Sequence, residues 1–353
     1  MRDPSHRAFL VIAPLFFVSF CSAQQYRIEK SGTNETLRGV SGVSQQIAWA
    51  SGTHGTFLRT LDGGYTWQVR QVPGAEALDF RDVEAFSATT AYLLSAGPGE
   101  SSRIYKTRDA GKSWKLQYTN RDPKGFLDCM AFWDGDHGTV MGDPVDGKFV
   151  LLRTDDGGRV WKQISPNHLP MAQEGEGAFA ASGSCIAVQG RRNVWFATGG
   201  KVARVFRSAD RGQSWAVVET PIVHGNESSG VFSIAFRDRE HGVIAGGDYK
   251  QPEQGGGNLA FSNDGGATWK LSEISPQSYF SAVAFRPKNG CGLLAVGAAH
   301  AAYAADVQEK IWLKYWDADL NAATFIAEDE ALAVGSKGTI VHFTELAGRC
   351  DKK

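Results

Sequence analysis

The sequence lacks most of the features that would assign it quickly to a class of protein. Its 353 residues carry a net charge of only −1, so the basic excess typical of nucleic-acid-binding proteins is absent. The five cysteines include no Cys-x-x-Cys pair, which argues against zinc and thioredoxin-type sites. There is no Gly-x-Ser-x-Gly elbow, P-loop or dinucleotide fingerprint. We therefore expect no cofactor, no metal and no nucleic-acid partner.

Long apolar runs are also missing, apart from one at the N-terminus. Two arginines precede the almost wholly apolar residues 8–20, and Cys21-Ser22-Ala23 places small residues at the −3 and −1 positions of a cleavage site. This is the pattern of a signal peptide, and the run is too short to span a bilayer comfortably. Phe20 stands where lipid-attachment sites have a small residue. We expect residues 1–23 to be removed, leaving a periplasmic or extracellular chain that does not span the membrane.

The sequence is rich in glycine, with 41 residues, and has 10 tryptophans and 20 phenylalanines. This mixture is typical of many tight turns that join many strands. An eight-residue motif, (S/T)-x-D-x-G-x-(S/T/V)-W, occurs five times, with its aspartates 47, 47, 54 and 54 residues apart. The motif residues are Asp62, Asp109, Asp156, Asp210 and Asp264, with Trp67, Trp114, Trp161, Trp215 and Trp269.

The chemistry of this motif is local. An aspartate at the start of a turn accepts hydrogen bonds from the backbone N–H groups that follow it. The glycine two residues later can adopt the positive φ that the turn needs. The tryptophan opens the next strand and packs beside the turn. We therefore interpret the five aspartates as structural parts of hairpins rather than as ligands.

The residues around each motif keep the same order of elements. An apolar strand is followed by a strand that ends in glycine, a third strand leads into the motif, and a fourth begins at the tryptophan. Four strands in about 40–50 residues predict a β-propeller blade. Residues 279–316 have lost the aspartate but keep Trp312, and residues 321–343 supply three strands. We predict that Tyr26-Arg27-Ile28-Glu29 adds the missing strand and closes an all-β propeller of seven blades.

The motif resembles the Asp-box, or BNR, repeat of sialidases and sortilin-type receptors. The fuller period resembles more closely the photosystem II stability/assembly factor family, over essentially the whole mature chain. This resemblance implies a seven-bladed propeller at residues 24–346, followed by a tail at residues 347–353. It also implies a non-catalytic scaffold or assembly chaperone. The implied partner is a protein, such as an envelope or membrane protein complex, and carbohydrate is the other possible ligand.

In a propeller, the loops between second and third strands and the loops between blades share one face, which we call the loop face. The Asp motifs lie on the opposite face. Several carboxylates together on the loop face would bind a cation, a sugar or a basic peptide, although Asp-Pro and Asp-Gly pairs also form turns without any ligand. The candidate residues for binding a partner or ligand are Arg81, Asp128, Asp143, Asp146, Glu176, Asp248, Tyr249, His54 and His300.

Glycoside hydrolysis is the enzymatic alternative. It needs two carboxylates, about 5–5.5 Å apart for retention or about 6.5–9.5 Å for inversion. Asp143 and Asp248 are the pair to test, with Asp128 in reserve. A sialidase would instead need a Tyr/Glu nucleophile pair and three arginines for the sugar carboxylate. Residues 26–29 resemble the sialidase arginine motif only faintly, because Glu29 replaces its proline, and the other arginines do not fall on matching strands.

Four cysteines remain after removal of the signal peptide, and disulfides are permitted in an exported protein. Cys291 lies in a turn between first and second strands, and Cys350 follows the last third strand. Both positions fall on the Asp-motif face of neighbouring blades, so a disulfide between them is feasible. Cys129 and Cys185 lie on inner strands, where we expect buried free thiols.

Overall fold

Seven four-stranded blades make up the part of the chain that the computed structural model describes: residues 25–164, 169–273, 276, 278–288, 292–305, 312–316 and 319–346. The predicted all-β, seven-bladed propeller is confirmed. Within these residues the only helical segments are two 3-10 turns, Gly99–Ser101 and Ser336–Gly338. No described helix is long and apolar enough to cross a bilayer.

Blades 1 to 3 each contain four antiparallel strands in chain order, numbered here from the channel outward. Their bounds are Leu37–Gly42, Ala48–Gly52, Thr56–Thr60 and Gln68–Gln71 in blade 1; Phe80–Ala85, Ala91–Ser95, Arg103–Thr107 and Lys115–Thr119 in blade 2; and Leu127–Phe132, Gly138–Val145, Lys148–Thr154 and Lys162–Ile164 in blade 3.

Blades 4 to 6 keep this order with one irregularity. Two short strands, Glu176–Gly177 and Gly199–Gly200, leave blade 4 and extend the sheet of blade 5 beyond its first strand. The bounds are Ile186–Gln189, Asn193–Ala197, Arg204–Ser208 and Ala216–Glu219 in blade 4; Ser229–Phe236, Gly242–Asp248, Leu259–Ser262 and Lys270–Leu271 in blade 5; and Ala282–Phe285, Leu293–Val296, Ala301–Ala304 and Trp312–Trp316 in blade 6.

Blade 7 is completed by the N-terminal strand, as predicted. Its strands are Leu320–Phe325, Ala331–Gly335, Thr339–Thr344 and Gln25–Lys30. The N-terminal strand pairs antiparallel with the third strand, from Gln25 opposite Thr344 to Lys30 opposite Thr339. Arg27 places its Nη2 atom 2.6 Å from Nδ1 of His342. The two ends of the propeller therefore lie side by side in one sheet.

Seven clusters of buried apolar side chains hold the ring together, one at each interface between neighbouring blades. Between blades 3 and 4, the rings of Phe149, Phe196 and Phe206 lie with centroids 4.4 to 5.3 Å apart. The cluster between blades 7 and 1 includes Leu332 and Leu58, both fully buried. The described ring is therefore packed at every interface, including the one where it closes.

In all five Asp motifs the aspartate accepts a hydrogen bond from the hydroxyl two residues before it and from the backbone N–H four residues after it. Asp264 Oδ1 accepts bonds from Ser262 Oγ at 2.8 Å and from the Thr268 N–H at 2.9 Å, and its Oδ2 accepts the Thr268 hydroxyl at 2.6 Å. Burial opposes ionisation of Asp264, but these bonds outweigh it and lower its pKa to about 2. The bonds from Ser113 likewise lower the pKa of Asp109 to about 2.

A disulfide joins blades 3 and 4 at their inner strands. Cys129 and Cys185 are bonded, with Cα atoms 5.9 Å apart, and both residues are buried. The expectation of two free thiols was wrong, because inner strands of adjacent blades converge near the axis and bring together residues 56 apart in sequence. The predicted Cys291–Cys350 bond, the signal peptide and the C-terminal tail lie outside the described residues.

Candidate functional site

Five first strands carry a bulged residue at the end near the loop face. The pairing of first with second strand skips Arg38, Arg81, Asp128, Phe232 and Asn321. A bulge leaves one residue outside the ladder and redirects its side chain. Because first strands surround the axis, these five residues lie around the opening of the central channel on the loop face. We call this opening the channel mouth.

One side of the channel mouth is cationic. Arg81 donates from Nε to Asp79 Oδ2 at 2.8 Å and from Nη1 to the carbonyl of Ala180 in the segment leading into blade 4 at 3.0 Å. Nε of Arg38 is buried and has no hydrogen-bond partner among the described residues. Burial lowers the pKa of Arg38, and the positive charge of Arg81 lowers it further. The carboxylates of Asp79 and Asp319 oppose this lowering only in part, so a further anionic group beside Arg38 would stabilise its charge.

A second side is acidic. Asp128 is only 1% exposed, and neither carboxylate oxygen has a hydrogen-bond partner within the described chain. Burial, and then the negative charge of Asp143, raise the pKa of Asp128 well above its usual range. Asp143 accepts the N–H of Ala178 at 2.8 Å, and burial raises its pKa as well. A cationic group placed here would offset the unfavourable burial of the two carboxyl groups.

An aromatic wall completes the channel mouth. Phe179 and Phe232 stack with ring centroids 3.8 Å apart. Tyr279 packs edge-on against Phe232 at 4.8 Å, and Tyr249 does so at 6.1 Å. Tyr249 is 46% exposed. Rigid aromatic side chains of this kind bind apolar parts of a ligand with little loss of side-chain entropy.

Two of the predicted carboxylates serve the loops themselves. Glu176 is buried, and its Oε1 accepts bonds from Arg204 Nε at 2.8 Å and from Thr198 Oγ1 at 2.6 Å. Asp248 accepts the N–H of Lys250 at 2.9 Å and Asn226 Nδ2 at 3.2 Å. The charged neighbour of Asp143 is Asp128, the reserve residue of the glycosidase hypothesis, rather than Asp248.

Three further candidates lie in turns of the loop face. His54 is exposed, and its Nδ1 lies 2.7 Å from Glu35 Oε2. Asp146 is exposed and pairs with Lys124 at 3.0 Å. His300 lies half-buried in the turn between the second and third strands of blade 6. None of these three is a bulged residue of the channel mouth, so their role as ligands stays a prediction.

Sequence reasoning missed Arg38, Phe179, Phe232 and Tyr279. A signal for two of them was present. Arg38 and Phe232 each follow the first buried apolar residue of a first strand, as Arg81 and Asp128 do. Aligning the blades on that position would have identified the ring of bulged residues.

Below the mouth, a polar cavity of about 250 Å³ lies in the channel among the first strands. It is lined by Asp82, Glu84, Ser182 and Ser184 among others. Burial raises the pKa of Glu84 to about 7, and burial together with the charge of Glu84 raises that of Asp82. The described residues contain no group of three His, Cys, Asp or Glu side chains placed to hold a metal ion.

Comparison with known proteins confirms the resemblance. The family model for "Photosynthesis system II assembly factor YCF48" matches residues 18–124. The photosystem II assembly protein Ycf48 of Synechococcus sp. (strain JA-2-3B'a(2-13)) is 26% identical over 293 residues, or 71% of this chain and 80% of the relative. The photosystem II assembly lipoprotein Ycf48 of Synechococcus sp. (strain CC9902) is 25% identical over 236 residues, or 66% of this chain and 60% of the relative.

Solved structures share the propeller fold. A structure of YCF48 bound to D1 peptide has a TM-score of 0.64 and 15% identity, with 90% of this chain and 96% of that chain covered. The GH74 xyloglucanase from Xanthomonas campestris has a TM-score of 0.60 and 18% identity, with 94% of this chain and 55% of that chain covered. At these identities the likeness is one of fold, which a binding protein and an enzyme can share.

Proposed function

We propose that this chain is an exported, non-catalytic propeller that binds a segment of a protein partner at its channel mouth. It would act there as a scaffold or assembly chaperone. The observation that carries the proposal is the composition of the mouth, where Arg38 and Arg81, the Asp128–Asp143 pair and an aromatic wall surround one opening. A polypeptide can present anionic, cationic and apolar groups together, so it suits this mixture better than a ligand of one kind.

The comparisons support a protein as the partner. Similarity to Ycf48 assembly factors favours a binding role, and one related propeller has been solved with a peptide. Export is supported by the signal-peptide pattern of residues 1–23 and by the lipoprotein among the relatives. The partner we expect is a component of an envelope or membrane protein complex.

Site-directed photocrosslinking tests this proposal. p-Benzoylphenylalanine would replace Tyr249 at the channel mouth or, as a control, Leu61 on the Asp-motif face, which is 46% exposed. Irradiation in an envelope extract of the source organism should give a discrete protein adduct from position 249 and not from position 61. Mass spectrometry of the adduct would name the partner and the bound segment.

A second variant makes the test specific to the charges. Arg38→Gln/Arg81→Gln, combined with the probe at position 249, should lose most of the adduct while keeping the far-UV spectrum and melting temperature of a folded propeller. Equal adducts from positions 249 and 61, or an adduct that survives the double substitution unchanged, would refute binding at the channel mouth.

One observation favours the enzymatic alternative. Asp128 and Asp143 are adjacent carboxyl groups with raised pKa values, and a glycosidase general acid needs a raised pKa. Hydrolysis of an arylglycoside panel by the wild-type protein, abolished by Asp143→Asn, would establish a glycosidase. If no arylglycoside is hydrolysed and the adduct forms only from position 249, the scaffold function is supported and the glycosidase is excluded.

A further inference from the structure

A second cavity lies on the Asp-motif face, between the motif turns of blades 2 and 3. Its volume is about 410 Å³, and four basic residues line it: Lys106, Arg108, Lys115 and Arg159. We call it the basic cleft. It is on the opposite face from the channel mouth, and the proposed function does not use it.

Lys106 forms the floor of the basic cleft. It is 7% exposed, and its Nζ donates to Tyr92 Oη at 2.5 Å and to the Gly157 carbonyl at 2.7 Å. Burial, followed by the positive charge of Arg108, lowers the pKa of this ammonium group to about 8. A buried ammonium group among other cations is stabilised when an anion binds beside it.

The walls of the cleft carry three cations that form no close ion pair among the described residues, although the charge of Arg159 does lower the pKa of Asp156. Arg108, Lys115 and Arg159 are exposed, and none has a carboxylate oxygen within 4.0 Å among the described residues. Asp109 also lines the cleft, but it accepts bonds from Thr107 at 2.9 Å and Ser113 at 2.6 Å within its own turn. Asp136 and Asp156 lie near enough to raise the pKa of Lys106, yet their effect is smaller than that of burial.

The repeat itself does not require these four basic residues. Each pair of neighbouring motifs has four positions that correspond in sequence to those of the basic cleft: three from the first motif and one from the second. All four positions are basic only between blades 2 and 3. The equivalents are Arg59, Leu61, Gln68 and Lys112 between blades 1 and 2; Arg153, Asp155, Lys162 and Gln213 between blades 3 and 4; and Arg207, Ala209, Ala216 and Ala267 between blades 4 and 5. The charge of the basic cleft is therefore a local feature, superimposed on the repeat.

We propose that the basic cleft is a binding site for a phosphate-class oxyanion. Two guanidinium and two ammonium groups surround one volume, and a tetrahedral anion presents oxygens toward all four. The volume exceeds that of a single phosphate and falls within the range of small-ligand sites. The phosphate group can therefore belong to a soluble molecule or to the headgroup of an anionic phospholipid.

Titration with inorganic phosphate tests the site. Binding to the mature protein would be followed by NMR chemical shifts of labelled arginine side chains, with potassium chloride holding ionic strength constant. Wild type should show saturable shifts, and Arg108→Gln/Arg159→Gln should bind about tenfold more weakly. Among the described residues, the side chains of these two arginines form no hydrogen bond and no ion pair. This variant should therefore fold normally.

The matched control removes two positive charges elsewhere on the same face. Lys162→Gln/Lys270→Gln lowers the net charge equally, and both lysines are exposed. Its affinity for phosphate should stay within about twofold of wild type, since exposed charges outside the cleft are screened. Non-saturable shifts in the wild type, or equal weakening in both double variants, would overturn the proposal.

Vesicles distinguish the two sources of phosphate. Cosedimentation with phosphatidylglycerol vesicles, but not phosphatidylcholine vesicles, that is lost in Arg108→Gln/Arg159→Gln would assign the site to a lipid headgroup. Saturable phosphate binding without such cosedimentation would assign it to a soluble phosphorylated molecule. Either result supports the oxyanion site, which saturable phosphate binding must establish first.

Discussion

At two Asp motifs a residue with a side chain adopts the left-handed backbone that glycine adopts in the other three. The φ angle is +68° at Ala110 and +62° at Arg211, where the other motifs have glycine. Ala110→Gly should raise the free energy of unfolding by about 0.5–1 kcal/mol, because glycine adopts this conformation without steric cost. Urea unfolding followed by tryptophan fluorescence measures the change. Ala209→Gly, at an ordinary φ, should instead destabilise the protein.

The half-buried carboxyl group of Glu84, which lines the channel cavity, gives a second prediction at the scale of one residue. Its folded pKa is about 7 against an ordinary 4.5, so the folded state keeps a proton that the unfolded state releases. Stability should therefore fall as the pH rises from about 4.5 to about 7, and then level off. Glu84→Gln should remove part of this fall and melt higher than wild type above pH 7.

Melting temperatures measured by differential scanning fluorimetry from about pH 4.5 to about pH 8 would check this. The two curves should converge at the acidic end, where the wild-type carboxyl group is already neutral. Asp82 shares the cavity and has a pKa shifted in the same direction, so the variant should flatten the profile without abolishing it. Parallel curves for variant and wild type would contradict the raised pKa.

At the scale of one element, the turn of each Asp motif is stabilised by hydrogen bonds to an ionised aspartate. The pKa of Asp264 is lowered from 3.8 to about 2, so its contribution to stability is present above about pH 4 and is lost as the pH falls through about 2. Asp264→Asn keeps one acceptor oxygen but cannot accept the Thr268 hydroxyl as well. It should destabilise the protein by about 1 kcal/mol at neutral pH and weaken the dependence on acid.

Thermal melts at neutral pH and near pH 3 would measure both effects. Asp155→Asn is the matched control, because Asp155 is the exposed neighbour of a motif aspartate and bonds only to Arg153 on the surface. It should leave the melting temperature nearly unchanged. Similar losses in the two variants would show that the motif bonds do not stabilise the turn.

The sequence predicted most elements because each blade repeats a turn whose chemistry is local. The predicted strand at Tyr26–Glu29 and the strand that begins at Trp312 both formed. The diversion of Glu176–Gly177 and Gly199–Gly200 into the sheet of blade 5 was not predictable. It depends on packing between blades, where the glycines allow close approach of the two backbones, and no pattern within one blade encodes it.

The candidate site was likewise only partly predictable from the sequence. Arg81, Asp128 and Asp143 were identified as polar residues near the ends of strands, and the fold brings them to the channel mouth. Arg38 and Phe232 were missed because a bulge, rather than residue type, turns them toward the channel. Asp248 looked equivalent in sequence, but its hydrogen bonds within the loop occupy it.

The disulfide is a feature of the whole molecule, because it ties two blades across 56 residues of chain. Cys129→Ala/Cys185→Ala should lower the free energy of unfolding by about 2–4 kcal/mol under oxidising conditions. Urea unfolding would measure this, and the difference should largely disappear in the presence of a reductant. Alkylation in denaturant without reduction should leave both cysteines unmodified in the wild type. Modification of both residues would show that the bond does not form.

Closure by the N-terminal strand determines when the protein can finish folding. Arg27 contacts a residue 315 positions later in the chain, so the first strand to be synthesised is among the last to find its partner. Until they pair with each other, residues 25–30 and Thr339–Thr344 leave two unpaired strand edges in the same molecule. At high concentration those edges can meet in different molecules. The strand pairing that closes the propeller is therefore also the place where two copies of the chain would exchange strands.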